Sequence, residues 1–174
     1  FAWTPSESQG PGTYTFDVAV SDGVVSTTQS ITITVTDVNT APTLTGVPAT
    51  ATVDELTALT FTAVGSDADV PAQTLVYSLV GAPVGATIGA SNGAFSWTPS
   101  ETEGPGSYTF DVVVSDGVAT TSSSITVTVN EVNVAPVLAN VPASVTIDEL
   151  VAYTFTATAT DADIPTQTLT FSLA

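Results

Sequence analysis

The side chains able to do chemistry in this sequence are carboxylates, and their placement is regular. Sixteen of the seventeen Asp and Glu residues fall at eight pairs of positions 94 residues apart: 7/101, 17/111, 22/116, 37/131, 54/148, 55/149, 67/161 and 69/163. Only Glu103 lacks an acidic counterpart, facing Gln9. There is no Lys, Arg, His or Cys, so the formal charge of −17 has no side-chain cation to offset it. Catalysis through histidine, cysteine or lysine is excluded by inventory, as are disulfides and thiolate metal sites. Without a basic footprint for phosphate, no nucleic-acid binding is expected.

Two kinds of chemistry remain: paired carboxylates working on a substrate, and carboxylates gathered round a cation. Several like charges at one place repel each other, and a bound cation reverses that cost. Oxygen donors without His or Cys select Ca²⁺, which takes about 6–8 oxygens, over zinc or copper, while Mg²⁺ prefers to keep its waters. A solvated acidic surface that keeps the chain soluble is the plainer alternative. It predicts acids scattered over exposed strand faces, as expected for Asp17 and Asp111.

The elements that position these acids follow from the repeat. Residues 1–80 align with 95–174 without a gap, and 51 of the 80 pairs are identical. A 94-residue period is close to the ~100 residues of an immunoglobulin-type sandwich, so each repeat is read as a whole domain. The cuts fall at Asn39-Thr40-Ala41-Pro42 and Asn133-Val134-Ala135-Pro136. They divide the chain into the back half of one unit (1–38), a complete unit (39–132) and the front half of a third (133–174). The half units are expected to continue in a longer array, or to complete neighbouring identical chains in a fibre.

Within the complete unit apolar residues alternate with period two and nothing reads as a long helix. Seven strands are expected, over about 49–53, 57–64, 74–79, 87–88, 94–97, 107–114 and 122–129. The fold class is therefore all-β, a Greek-key sandwich held by two inward faces. Tyr108-Thr109-Phe110 stands where an antibody domain carries Tyr-x-Cys, making Tyr108 a candidate tyrosine corner and Phe110 the core replacement for cysteine. Trp97, at an inward position, is assigned to the core rather than to ligand stacking. Hydrophobic residues make up 43% of the chain, near the globular norm. No apolar run approaches the ~20 residues of a membrane span, and no signal-like segment opens the sequence.

Most of the acids are placed in loops near the domain ends. Here the residues carry a resemblance. Val-Ser-Asp-Gly (114–117), Asp-x-Asp (67–69), the Glu ahead of the sixth strand (101) and Asp-Val-Asn-x-Ala-Pro (37–42) resemble the calcium motifs of cadherin-like domains. The stretch from Gly81 to Glu101 is similar to the Ig-type and cadherin-like repeats of very large bacterial surface adhesins. The resemblance implies calcium at the joints between successive units. For the joint after the complete unit it implies Glu55, Glu101, Glu131, Asn133, Asp161 and Asp163 as ligands. For the preceding joint the matching set is Glu7, Asp37, Asn39, Asp67, Asp69 and Asp116. The pattern departs from the cadherin one at Thr40 and Val134, where an acid is expected before Ala-Pro; about one to three ions per joint are expected.

The leading functional expectation is a structural spacer. Tandem sandwiches, stiffened by calcium and contacting neighbouring repeats of the same chain, would form the stalk or fibre of an extracellular, cell-surface bacterial protein, with no membrane insertion in this segment. A carbohydrate- or ice-binding module is the alternative, because the runs 31–36 and 154–160 display Thr at every second residue; Thr is also a good exposed strand residue. No enzyme is expected, since the acids lie at domain ends with no additional loop to build a cleft.

Overall fold

The computed structural model describes residues 1–173; Ala174, the last residue of the third expected unit, lies outside the described residues. Thirteen strands form the framework among the described residues. The first hairpin is β1 (Gly12–Ser21) with β2 (Ser26–Val35). The middle of the chain holds β3 (Thr43–Thr45), β4 (Thr50–Asp54), β5 (Leu59–Thr62), β6 (Val64–Ser66), β7 (Val76–Val80), β8 (Thr87–Ile88), β9 (Ala94–Trp97), β10 (Gly106–Ser115) and β11 (Thr120–Asn130). β12 (Val137–Ala139) and β13 (Thr158–Thr160) follow. The only helical element among the described residues is a 3₁₀ turn at Glu7–Gln9, and none is long and apolar enough to cross a membrane.

The alternating residues of the middle segment build two facing sheets. One has the order β4-β11-β10-β7, with β4 parallel to β11 and the other pairs antiparallel. The other is the antiparallel sheet β5-β9-β8. Between them lie Val53, Tyr77, Phe95, Trp97, Phe110, Val112, Val114, Ile125, Val127 and Val129, all buried. Each such side chain contributes about 1.5–3 kcal/mol of transfer free energy, which in place of disulfides holds the sandwich together. Phe95 stacks between Phe61 at 4.5 Å and Phe110 at 5.5 Å. Trp97 meets Tyr108 edge-on at 5.1 Å and donates its indole N–H to Val84 O at 3.2 Å. The Tyr108 hydroxyl donates to Glu103 O at 2.9 Å, the bond of a tyrosine corner.

Three details differ from the sequence expectation. The strand expected over 57–64 begins at Leu59 and breaks at Ala63, whose N–H turns to Gly93 O at 2.9 Å. Beyond the break, β6 leaves β9 and pairs with β3. β3 itself has no counterpart in the expected strands, because three residues between Pro42 and Gly46 are too few to show a period. Finally, the Thr154–Thr160 run is a strand only at Thr158–Thr160. Its matching segment in the middle of the chain pairs with β9, and the described residues after 160 contain no such partner.

Candidate metal centre

Four segments converge where the chain leaves β11. The first is the turn after β4, closed by the Thr57 N–H donating to Asp54 O at 3.2 Å. Glu55 N–H continues the parallel pairing one step further, to Asn130 O at 3.0 Å, and Leu56 N–H donates to Pro99 O at 2.8 Å. These bonds hold Leu56 at φ 57, a left-handed conformation that leucine rarely adopts. The turn drives the Glu55 carboxylate inward until it is 1% exposed. Gly104 accommodates it: a Cβ there would stand 2.1 Å from Glu55 Oε2.

The second segment is the Ser100–Glu103 turn ahead of β10. Glu103, the one unpaired acid, caps this turn by accepting the Ser100 N–H at 2.7 Å, and Gln9 does the same for Ser6 at 2.9 Å with an amide oxygen. Its charge is therefore dispensable, and it takes no part in the joint. The turn presents Glu101. The third segment, the strap after β11, presents Glu131.

One oxygen from each of Glu55, Glu101 and Glu131 lies within 4.8 Å of the others. Glu55 Oε1 accepts the Val132 N–H at 3.0 Å and Glu101 Oε1 accepts the Ile164 N–H at 3.1 Å. Glu55 Oε2 and both Glu131 oxygens are buried with no hydrogen-bond donor. Burial, followed by repulsion from Glu55, Glu101 and Asp163, pushes the Glu131 carboxyl above the usual carboxylate range. A buried oxygen without a donor costs free energy, and here three are grouped. The arrangement can take up a proton or an oxygen-seeking cation, and with no side-chain cation in the sequence it has no internal remedy. The donor set fits Ca²⁺.

The fourth segment is the loop Asp161–Gln167. Asp163 accepts the Val134 N–H with both oxygens, at 3.0 and 3.1 Å, and its own N–H donates to Asp161 Oδ1 at 3.0 Å. Gln167 Nε2 ties Asn133 Oδ1 at 2.7 Å to Asp163 Oδ2 at 3.3 Å. Asp161 Oδ2 is buried without a donor.

The preceding joint repeats this receiving loop. Asp69 accepts the Thr40 N–H with both oxygens, at 3.1 and 3.0 Å, and Asp67 Oδ1 accepts the Asp69 N–H at 2.8 Å. Gln73 Nε2 bridges Asn39 Oδ1 at 3.0 Å and Asp69 Oδ2 at 3.2 Å. Asn39 Nδ2 also donates to Asp116 Oδ2 at 3.0 Å, while Asp116 Oδ1 accepts the Val118 and Ala119 N–H groups at 2.7 and 2.6 Å. The Ala119 N–H, then the Asn39 amide, hold the Asp116 carboxyl below the usual range. Glu7 Oε1 accepts the Val70 N–H at 3.4 Å, and Asp37 is exposed. These two form no three-carboxylate group, because the position 94 residues before Glu55 precedes Phe1.

Of the twelve residues expected from the sequence, Glu55, Glu101 and Glu131 form the carboxylate group, Asn133, Asp161 and Asp163 share one receiving loop, Asn39, Asp67, Asp69 and Asp116 are linked by hydrogen bonds, and Glu7 reaches the Val70 N–H, while exposed Asp37 joins none of these sets. Sequence reasoning missed Gln73 and Gln167, although Gln recurs at the same offset of 94 in Pro-x-Gln-Thr-Leu, and it missed Gly104 and Leu56. Of the Thr rows, Thr15 and Thr32 share a hydrogen bond at 2.9 Å across β1 and β2.

A family model described as Putative Ig domain matches residues 41–130. Among solved structures, the chain is similar to human protocadherin-24 EC1-2 at 20% identity and a TM-score of 0.45, covering 73% of this chain and 62% of that one. It is similar to the endo-fucoidan hydrolase MfFcnA4 of glycoside hydrolase family 107 at 18% identity and a TM-score of 0.40, covering 69% of this chain. The titin M3 domain matches at 18% identity and a TM-score of 0.37, covering 51% of this chain and 96% of that one. The chain spans 19% of the hydrolase's length. No curated protein matches the sequence.

Proposed function

The chain belongs to the Putative Ig domain family, and we propose that its role is structural rather than enzymatic, as a segment of an extracellular stalk or fibre stiffened by calcium at its joints. On this reading residues 39–132 are one whole unit, 1–38 the back half of the unit before and 133–174 the front half of the unit after. The stalk belongs to a secreted bacterial surface adhesin, and the contacts that matter are with neighbouring repeats.

The observation that carries the reading is the group of Glu55, Glu101 and Glu131, with three buried oxygens that no donor satisfies. Glu55, Glu101 and Glu131 come from the unit ahead, Asp161 and Asp163 from the unit behind, and Asn133 from the strap between. At the other joint Glu7 and Asp37 correspond to Glu101 and Glu131, Asn39 to Asn133, and Asp67 and Asp69 to Asp161 and Asp163, while Asp116 is a further ligand there. Calcium supplies the positive charge that the sequence lacks.

The mechanism is linkage. Without the ion, like charges on the two sides of a joint repel and the units swing independently. An ion sharing ligands from both sides binds the locked arrangement better and so populates it. Extracellular modules hold calcium with Kd of about 10⁻⁴–10⁻³ M, so the sites fill outside a cell and empty inside it. Calorimetric titration of the chain with calcium, paired with melting in calcium and in chelator, tests this. Heat of binding and a higher Tm in calcium are expected; no binding and an unchanged Tm would sink it.

A further inference from the structure

Two amides stand between two buried carboxylates at the 37–39 joint. A carboxylate only accepts hydrogen bonds, whereas an amide offers two N–H donors and one acceptor oxygen. Asp69 and Asp116, 3% and 7% exposed, must therefore draw their donors from the protein. Asp116 Oδ2 takes the Asn39 Nδ2 donor at 3.0 Å, which leaves Asn39 Oδ1 to face Gln73. Gln73 Nε2 donates to that oxygen at 3.0 Å and to Asp69 Oδ2 at 3.2 Å. With the Thr40 N–H shared by both its oxygens, Asp69 is fully supplied. The carboxylates fix both amide orientations, because turning either amide over would set oxygen against oxygen.

The same arrangement recurs 94 residues on, where Gln167 Nε2 meets Asn133 Oδ1 at 2.7 Å and Asp163 Oδ2 at 3.3 Å. The carboxylate oxygens that lack a donor lie elsewhere: Glu55 Oε2, both Glu131 oxygens, and Oδ2 of Asp67 and of Asp161. Gln73 Oε1 is itself buried without a donor, so the amide nitrogen alone holds this side chain in place. From the contrast we infer that Gln73 and Gln167 fill, with an amide nitrogen, the position between strap and receiving loop that a second cation would take. They thereby confine each joint to one ion, at the glutamate pole. The inference rests on the calcium reading above and narrows its ion count.

Distance and charge both support it. Calcium holds its oxygens at about 2.3–2.6 Å, whereas Gln73 Nε2 stands off at hydrogen-bond range. An ion between strap and loop would have to expel the amide and draw those oxygens about 0.5 Å closer. At the glutamate pole it meets oxygens with no donor to lose. Asp69 and Asp163 each accept three hydrogen bonds, and a carboxylate has about four acceptor sites, so each keeps room for the ion at the pole. Gln, and not Glu, occupies both 73 and 167 in a chain whose acids recur at eight paired positions. The side chain needed there is a donor.

Exchanging donor for acceptor tests it on the whole 174-residue chain. Gln73→Glu removes both amide hydrogens and sets a further carboxylate beside Asp69. Titrated with calcium chloride in a calorimeter, it is expected to bind one equivalent more than the wild-type chain. Its Tm should fall in chelator and recover in calcium. Gln167→Glu makes the same change at an exposed position and decides the matter if Gln73→Glu does not fold. In nitrogen-15 spectra of the wild type, the Gln73 and Gln167 side-chain amides should keep their chelator shifts through calcium saturation, while the Val132 N–H bonded to Glu55 moves. Wild-type stoichiometry in the folded glutamate variants, or wild-type glutamine amides displaced by calcium, would overturn the inference. A wild-type chain that binds no calcium, beside variants that bind one equivalent, would instead count against the calcium reading and support the amide's role.

Discussion

The two joints of this chain are built from the same residue types but are complete on opposite sides. On the proposed division the unit ahead of the 131–133 joint is whole, and there buried Glu55 and half-buried Glu101 and Glu131 close into one group. At the 37–39 joint the unit behind is whole, and Asp116 with its two backbone donors grips Asn39. Each shows what the other lacks: the 37–39 joint has no counterpart of Glu55, and the 131–133 joint no counterpart of Asp116. Laid over one another they describe a joint fed from three sources, a pole of three glutamates, a strap asparagine and an Asp-x-Asp loop with a further aspartate. The receiving loops are nearly the same at both joints, with Asp69 and Asp163 each accepting one strap N–H through both oxygens. The strap is thus fastened without metal. On the proposed reading a cation adds a link to the glutamate pole beyond the Glu101–Ile164 bond.

That contrast can be broken from the glutamate side first. Glu55→Gln keeps the acceptor for the Val132 N–H but removes a charge from the buried group. We expect it to raise Tm in chelator and to remove most of the calcium-dependent gain, which at a hundredfold excess over Kd is about 2.7 kcal/mol. Glu7→Gln, at the joint that lacks the third glutamate, is expected to leave most of that gain. Equal losses from the two changes would erase the difference between the joints.

The equivalent glycines sharpen the same point. Gly104→Ala thrusts a methyl against Glu55 Oε2, while at Gly10 the nearest atom is Val35 Cγ1 at 3.2 Å. Overpacking of this kind costs about 1–3 kcal/mol, expected for Gly104→Ala together with weakened calcium binding. Gly10→Ala should cost less and leave binding unchanged, as read by melting and titration calorimetry.

Acidity separates the joints in sign. The Glu131 carboxyl is raised, so in chelator its contribution to stability is whole below its unfolded pKa and is lost as pH rises through the folded value. Asp116 is lowered, so its contribution is present above its unfolded pKa and is lost as pH falls through the folded one. Melting of the chain against pH in chelator should therefore show the Glu131 loss on the alkaline side of the carboxylate range, abolished by Glu131→Gln, with calcium removing the same slope.

The smallest effect is expected at the glutamines. Gln73→Ala removes two hydrogen bonds of a half-buried amide, and a hydrogen bond contributes about 0.5–1.5 kcal/mol. Gln167→Ala should cost less, because Gln167 and Asn133 are exposed.

Much of this was legible in the residues. The offset of 94 and the period-two alternation of 106–115 and 120–130 led to the sandwich, its tyrosine corner and the polar ends where the acids gather. Features that depend on three-dimensional approach were not. Gly104 is needed only because the Glu55 carboxylate reaches it through space, while Leu56 takes φ 57 in the Asp54–Thr57 turn as Leu150 takes φ 66 in the matching Asp148–Val151 turn. The approach at Gly104 leaves no local pattern. β3 was too short for a period, and the Thr154–Thr160 run reads as a strand although pairing exists for only three of its residues. Alternation reports what a strand would bury, whereas a strand forms only where its partner is present.

The central claim is that an ion at the joint fixes one unit against the next. The most direct test is X-ray scattering of the dilute chain, extrapolated to zero concentration, in calcium and in chelator. Calcium is predicted to lengthen the molecule and narrow its distance distribution to that of a stiff rod. Superimposable curves in the two conditions, with calcium shown to be bound, would contradict the account.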